Sequence, residues 1–283
     1  MMTEYIITSK PNRLPMKIQL YVSLDPTLGC GQAHRWHKLS DGGWEGVWRD
    51  QLITMHQIDE GTIEVKGTDD RKGIVRYLGG EDDLDAIIAE ISSRDPYVAR
   101  LAENCPGLRI MRQDHWECLA TYLLATNANV ARIGKMVESV CDHYGKDLGG
   151  RHSFPTPKQI LDGCDSICEC KLGFREQRFL TLAERVESGE LDVEAFSEMD
   201  YSECVEKLQG INGVGPKVAD CVALFAFEHM EAFPIDARIS KVMEQRYGVT
   251  GSYKSVSSYG RELFGRYSGY AQEFLYHADF ISG

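Results

Sequence analysis

Lys217 sits in GINGVGPKVAD, residues 210–220, on the first turn of an apolar helix, and Asp236 follows nineteen residues later. The start of a helix carries about half a positive elementary charge and several unpaired N–H groups, so an ammonium there is opposed by its own scaffold. That opposition favours the neutral amine, as does burial, and a neutral amine is a nucleophile. The placement therefore predicts a lysine with a depressed pKa that attacks an electrophilic carbon and holds the product as a Schiff base. Asp236 precedes the apolar-periodic ARISKVMEQRYG and either caps that helix or stabilises positive charge developing on a substrate. A plainer reading pairs Lys217 with Asp220, one turn on.

The residues before Lys217 explain how such a lysine would meet its substrate. SECVEKLQG (202–210) reads as a short helix, INGVG as a tight turn with Gly213 and Gly215 free to take positive φ, and Pro216 as the first helical residue. This is a helix-hairpin-helix, whose backbone N–H groups bind a phosphate without any lysine or arginine. Cys221 lies one turn beyond Lys217 on the same face, either packed in a core or bordering the lysine's pocket. Taken alone, Asn127 and Asn129 read as helix caps, Arg132 and Arg175 as surface charges, and Tyr276 as a core aromatic.

The rest of the chain must position these groups. With 43 acidic and 31 basic residues the net charge is −12, which argues against a broad basic nucleic-acid surface but not against a few phosphate contacts through backbone amides. No apolar run reaches the length of a membrane span, and MMTEYIITSKPNRLP lacks the layout of a secretory signal, so the expected setting is cytoplasmic, at the nucleoid in a prokaryote. Nine scattered cysteines suit reduced, buried thiols, and the C-x3-C-x-C group Cys164, Cys168 and Cys170 does not match the usual zinc spacings; neither metal nor cofactor is expected. WEGVWRDQLITMHQI (44–58) and GTIEVKG (61–67) read as antiparallel strands cut by the turns DGG and DEG. Helical periodicity marks 80–93 and nearly everything after Pro106, including 157–163, 175–188, 192–199, 218–230, 237–248 and 258–280. The expected class is α+β: an N-terminal antiparallel β-sheet domain (1–105), then a multi-helix domain (106–283) containing the hairpin.

LQGINGVGPKVADCVALFAF followed by FPIDARI resembles the signature of the helix-hairpin-helix DNA glycosylases, with Lys217 and Asp236 at the family's lysine and aspartate positions. GQAHRWH (31–37), TNANVARI (126–133), KLGFREQR (171–178) and YAQEFLYHAD (270–279) extend the resemblance to the 8-oxoguanine branch, from about residue 20 onward. The resemblance implies base excision from duplex DNA by base flipping, with strand cleavage by a monomer, preferably opposite cytosine. It gives Gly31 the carbonyl that reads the N7 proton of 8-oxoguanine, Cys221 and Tyr276 the two faces of the base, and Gln272 its edge. Asn127, Arg132 and Arg175 would hold the orphaned cytosine, Phe174 would wedge the stack, and Gly213, Gly215 and Arg238 would contact DNA. Phe174, Ala128, Tyr276 and Arg238 depart from the family's usual tyrosine, asparagine, phenylalanine and histidine. A relative of the endonuclease III type would carry an iron–sulfur cluster after the aspartate, and no cysteine follows Cys221.

Overall fold

The computed structural model describes residues 14–281. The reading of the N-terminus as signal-free rests chiefly on residues 1–13, outside that range. Five strands, β1 (Met16–Gln19), β2 (Trp36–Lys38), β3 (Trp44–Trp48), β4 (Gln51–Asp59) and β5 (Thr62–Lys66), form one antiparallel sheet in the order β1-β5-β4-β3-β2. The register sets Ile18 against Ile63 and Met55 against Val65, so alternate residues turn one apolar face inward. Beneath that face, Trp36, Trp44 and Trp48 pack with residues of two short helices, α1 (Leu24–Gly29) and α2 (Arg71–Tyr77). Helix α1 carries no strong sequence signal: it is six residues long, includes Pro26, and Ser23 makes no side-chain cap.

The second core is built by helices and the turns that connect them and runs from Leu84 to Leu275. It contains α3 (Leu84–Arg94), α4 (Pro96–Asn104), α5 (His115–Leu124), α6 (Val130–Tyr144), α7 (Pro157–Asp162), α8 (Glu176–Glu187), α9 (Tyr201–Gln209), α10 (Pro216–Phe225), α11 (Ala237–Tyr247), α12 (Tyr253–Phe264) and α13 (Ser268–Ile281). Many begin on a side chain that accepts from the first turn: Asp83, Asp95, Asp114, Asn129, Thr156, Asp200, Asp236 and Ser252. Apart from Met111, which packs in the sheet core, packing changes over near residues 79–83, upstream of the 105/106 boundary read from the sequence. Helices α3 and α4 bury Leu84, Ile87, Ile91, Val98 and Leu101 in the helical core, and we propose the domain limit accordingly.

Three helical readings are corrected. Residues 226–230 leave the helix after Phe225, with Glu228 at φ 63°. Residues 192–199 form only a 3-10 turn, Glu194–Glu198. The expected long helix over 258–280 is broken at Gly265, whose φ is 71° and where a Cβ would lie 2.8 Å from the Arg94 guanidinium. That break turns α13 back across the molecule, with Gln272 and Glu273 both buried. The two cores are stitched together by Gln32, whose amide donates to the Thr27 and Arg109 carbonyls and accepts from Met111 N–H. No helix among the described residues is long and apolar enough to cross a membrane.

Candidate active site

The hairpin forms as read, with one correction. Ile211 and Val214 are buried and anchor the turn, and Gly213 takes φ 96°. Gly215 instead has φ −88° and serves as the N-cap of α10. Its use is space: no atom lies within 4 Å of where its Cβ would be, and no side chain caps the helix. The first-turn N–H groups are thus left for an incoming anion.

From that turn Lys217 reaches into a cavity of about 670 Å³. Its ammonium stands 5.2 Å from the centre of the Tyr122 ring, with Cys221 one turn further along α10. The plain pairing with Asp220 does not occur. Asp220 is 2% exposed and accepts hydrogen bonds from Tyr201 Oη at 2.6 Å, Tyr253 Oη at 2.5 Å and Ser257 Oγ at 3.3 Å. Asp236 stands at the entrance to α11 with Oδ1 accepting from Ile239 N–H at 2.8 Å. It caps the helix and also lines the cavity.

Five parts of the chain converge here. Gly31 comes from the loop after α1 at φ 94°, Asn127 from the α5–α6 turn at φ 54°, Lys217 and Cys221 from α10, Asp236 and Arg238 from the start of α11, and Gln272 and Tyr276 from α13. Gln272 is buried, yet its Oε1 has no hydrogen-bond partner within the protein. Such a group is costly unless a ligand completes it. The Arg238 guanidinium lies 5.1 Å from the Tyr276 ring centre, and burial pushes the Tyr276 phenol up to about 12.

The expected Arg132, Phe174, Arg175 and Gly213 lie outside the cavity wall. Phe174 is 55% exposed, with the Arg175 and Arg178 guanidinium groups 4.3 and 5.4 Å from its ring. Arg175 is no surface charge. Its Nε and Nη2 donate to the Thr126 carbonyl and its Nη1 to that of Leu172, which fixes the turn carrying Asn127. Arg132 is exposed, and Asn129 caps α6 by accepting from its N–H. Of the cysteine group, Cys170 is buried against the Ser139 carbonyl while Cys168 is exposed; among the described residues no set of three potential ligands is placed to hold a metal.

The electrostatics correct one expectation. Burial alone would lower the pKa of Lys217, but Cys221, Asp236 and Glu273 outweigh it and the net shift is upward. At rest the lysine is an ammonium. Burial pushes the Cys221 thiol up to about 11, partly offset by Lys217. Burial, reinforced by Lys217, holds the His34 imidazole down at about 4, so this ring is neutral and its buried Nδ1 has no partner. Burial also drives the Glu273 carboxyl up to about 7. Sequence reading passed over His34 and Glu273; the signal available was one acid amid the apolar residues of YAQEFLYH.

Comparison with known proteins finds relatives of one kind along the chain. Residues 14–119 match the N-terminal domain of 8-oxoguanine DNA glycosylase. The N-glycosylase/DNA lyase of Arabidopsis thaliana is 28% identical over 96% of this chain and 81% of its own. The 8-oxoguanine glycosylase/lyase of Clostridium acetobutylicum, solved with duplex DNA containing cytosine opposite 8-oxoguanine, superimposes with a TM-score of 0.87 at 28% identity, covering 96% of this chain and 99% of that one. Over nearly its whole length the chain is similar to 8-oxoguanine DNA glycosylases. A 3-methyladenine DNA glycosylase from Archaeoglobus fulgidus shares the fold at 20% identity and a TM-score of 0.76. The match to the N-terminal domain takes in Gly31, so the sheet half brings a pocket residue of its own.

Proposed function

We propose that the protein excises 8-oxoguanine from duplex DNA, preferably opposite cytosine, and then cleaves the strand at the abasic site as a monomeric repair enzyme. One observation carries the reading: Lys217 and Asp236 line the same cavity as Gly31, Cys221, Gln272 and Tyr276. A base within the duplex is out of reach, so the nucleotide must rotate into the cavity. There the base lies between Cys221 and Tyr276, its edge meeting the unpartnered Gln272 amide and its N7 proton meeting the Gly31 carbonyl. Lys217 loses its proton and attacks C1′ of the sugar, and the base departs. Protonation of O4′ and cleavage of the C1′–O4′ bond open the sugar ring and turn the N-linked sugar into a Schiff base, which acidifies the adjacent C2′. Loss of a C2′ proton expels the 3′-phosphate and breaks the strand, and hydrolysis frees the lysine. Asp236 has one oxygen engaged as a cap and the other available to the cationic sugar.

The hairpin N–H groups hold a backbone phosphate, and Phe174 fills the gap left by the flipped base. Arg132 and Asn127, both exposed, supply the donors for cytosine, while Arg175 fixes the turn that presents Asn127. In a prokaryote the enzyme would work at the nucleoid. Duplex oligonucleotides carrying single defined lesions test the proposal: base release and strand cleavage are expected with 8-oxoguanine. Cleavage confined to oxidised pyrimidines, or to no lesion, would reject it.

A further inference from the structure

The cavity wall contains a carboxyl group for which the chemistry above has no task. Glu273 is 4% exposed and accepts a hydrogen bond from Cys30 Sγ at 3.5 Å. It lines the same cavity as Lys217. The titratable groups facing it are Cys30 from the loop after α1, Tyr122 from α5, Lys217 and Cys221 from α10, Asp236 from the start of α11, and Tyr276 from its own helix. Lys217 is the one cation among them. A carboxyl taken out of water beside so little positive charge costs stability, and such burial marks functional sites.

Lys217 must shed a proton before it attacks, and the other neighbours are poorly suited to receive it. Asp220 is occupied by three hydroxyl groups, and Asp236 must stay ionised to serve the cationic sugar, one oxygen on its cap and the other on the sugar. The Cys221 thiol and the two tyrosines already hold their protons at neutral pH, and the neutral His34 is too weakly basic. Resting on the excision reading above, we propose that Glu273 is the base that takes the proton from Lys217 when the lesion enters the cavity. The arriving base displaces solvent, which favours a neutral amine and a neutral acid over a separated ion pair. The proton passes from Nζ to a carboxylate oxygen of Glu273 directly or through one water in the cavity they share. The freed lone pair forms the bond to C1′, and the electrons of the C1′–N9 bond leave with the base. Nζ ends as a secondary ammonium, Glu273 as a neutral acid and the base as an anion.

The active form is therefore the pair carrying a single proton, and the acid limb of the rate belongs to the pair. Single-turnover excision from an 8-oxoguanine:cytosine duplex is measured across pH for the wild type and for Glu273→Gln, with lesion affinity and melting temperature followed in parallel. Glu273→Gln is expected to slow excision at neutral pH about tenfold or more, to move the acid limb upward by about one pH unit or more, and to keep affinity within about threefold. Should that variant not fold, Cys30→Ala carries the test: removing the thiol donor weakens the ionised form of Glu273, so the limb moves upward there too. A variant with the wild-type rate and limb, or one slowed with its limb unmoved, overturns the assignment. A wild type without activity on the lesion overturns the excision reading instead.

Discussion

At the residue scale, Lys217→Gln should abolish borohydride trapping on an 8-oxoguanine duplex and leave lesion binding measurable, whereas trapping at wild-type yield would assign the nucleophile to another amine. Asp236→Asn separates capping from catalysis, since asparagine caps a helix about as well as aspartate. An unchanged melting temperature with single-turnover excision slowed about a hundredfold or more is expected for charge stabilisation. A near-normal rate would leave Asp236 as a cap alone. Glu273 makes a prediction about stability as well. Its folded pKa of about 7 lies above the unfolded 4.5, so the folded state holds the extra proton in between and stability falls as pH rises through that window. Glu273→Gln should flatten this slope and raise stability at pH 8 by on the order of 2–3 kcal/mol, measured by denaturant unfolding. The position of Lys217 was legible in the sequence because a proline and a glycine turn fix where α10 begins. The direction of its pKa was not, because Asp236 and Glu273 reach it from helices that begin 20 and 51 residues later, at Ala237 and Ser268.

At the scale of elements, the hairpin and the α5–α6 turn each depend on an unusual backbone. Gly213→Ala places a side chain at φ 96° with its Cβ 2.7 Å from Arg178 Cδ. The arginine can swing aside but the backbone cannot, so a cost of about 1–2 kcal/mol is expected. It should appear as a melting temperature lower by about 2–8 °C together with weaker binding to undamaged duplex. An unshifted melting temperature would show that the turn tolerates the strain. Legibility followed local signals. Strands bounded by DGG and DEG, and helices opened by Asp or Asn, were readable because cap and turn chemistry is written within a few residues. Helix α1 and the break at Gly265 were not, since the first lacks a cap and the second lies in the positive φ of one glycine inside an otherwise helical pattern. Arg175 read alone as a surface charge and by resemblance as a cytosine contact, and neither reading shows its partners, the carbonyls of Thr126 and Leu172, because composition does not carry them.

At the scale of the whole molecule, a net charge of −12 leaves few cations for DNA. The logarithm of duplex affinity against the logarithm of salt should have a slope smaller in magnitude than about 5, since each neutralised phosphate contributes about 0.9. A slope near 10 would point to a broad basic face. Partner-base choice is also a property of the assembled molecule, and excision opposite cytosine should exceed that opposite adenine by at least about tenfold, because adenine leaves the Arg132 and Asn127 donors unpaired once the bound duplex covers them, at about 1–3 kcal/mol each. Equal single-turnover rates opposite all four bases would remove the cytosine assignment. Gln32 carries one more implication. Its backbone carbonyl accepts from the Gln113 amide at 2.6 Å and from Tyr122 Oη at 3.0 Å, so the segment bearing Gly31 is laced to residues from the far side of the connection at 79–83. Gly31 and Lys217 fall on opposite sides of that connection. A chain split at Glu81 and co-expressed as two fragments should therefore be inert in each piece and regain activity on reassembly, turning lesion cleavage into a readout of whether two polypeptides have met.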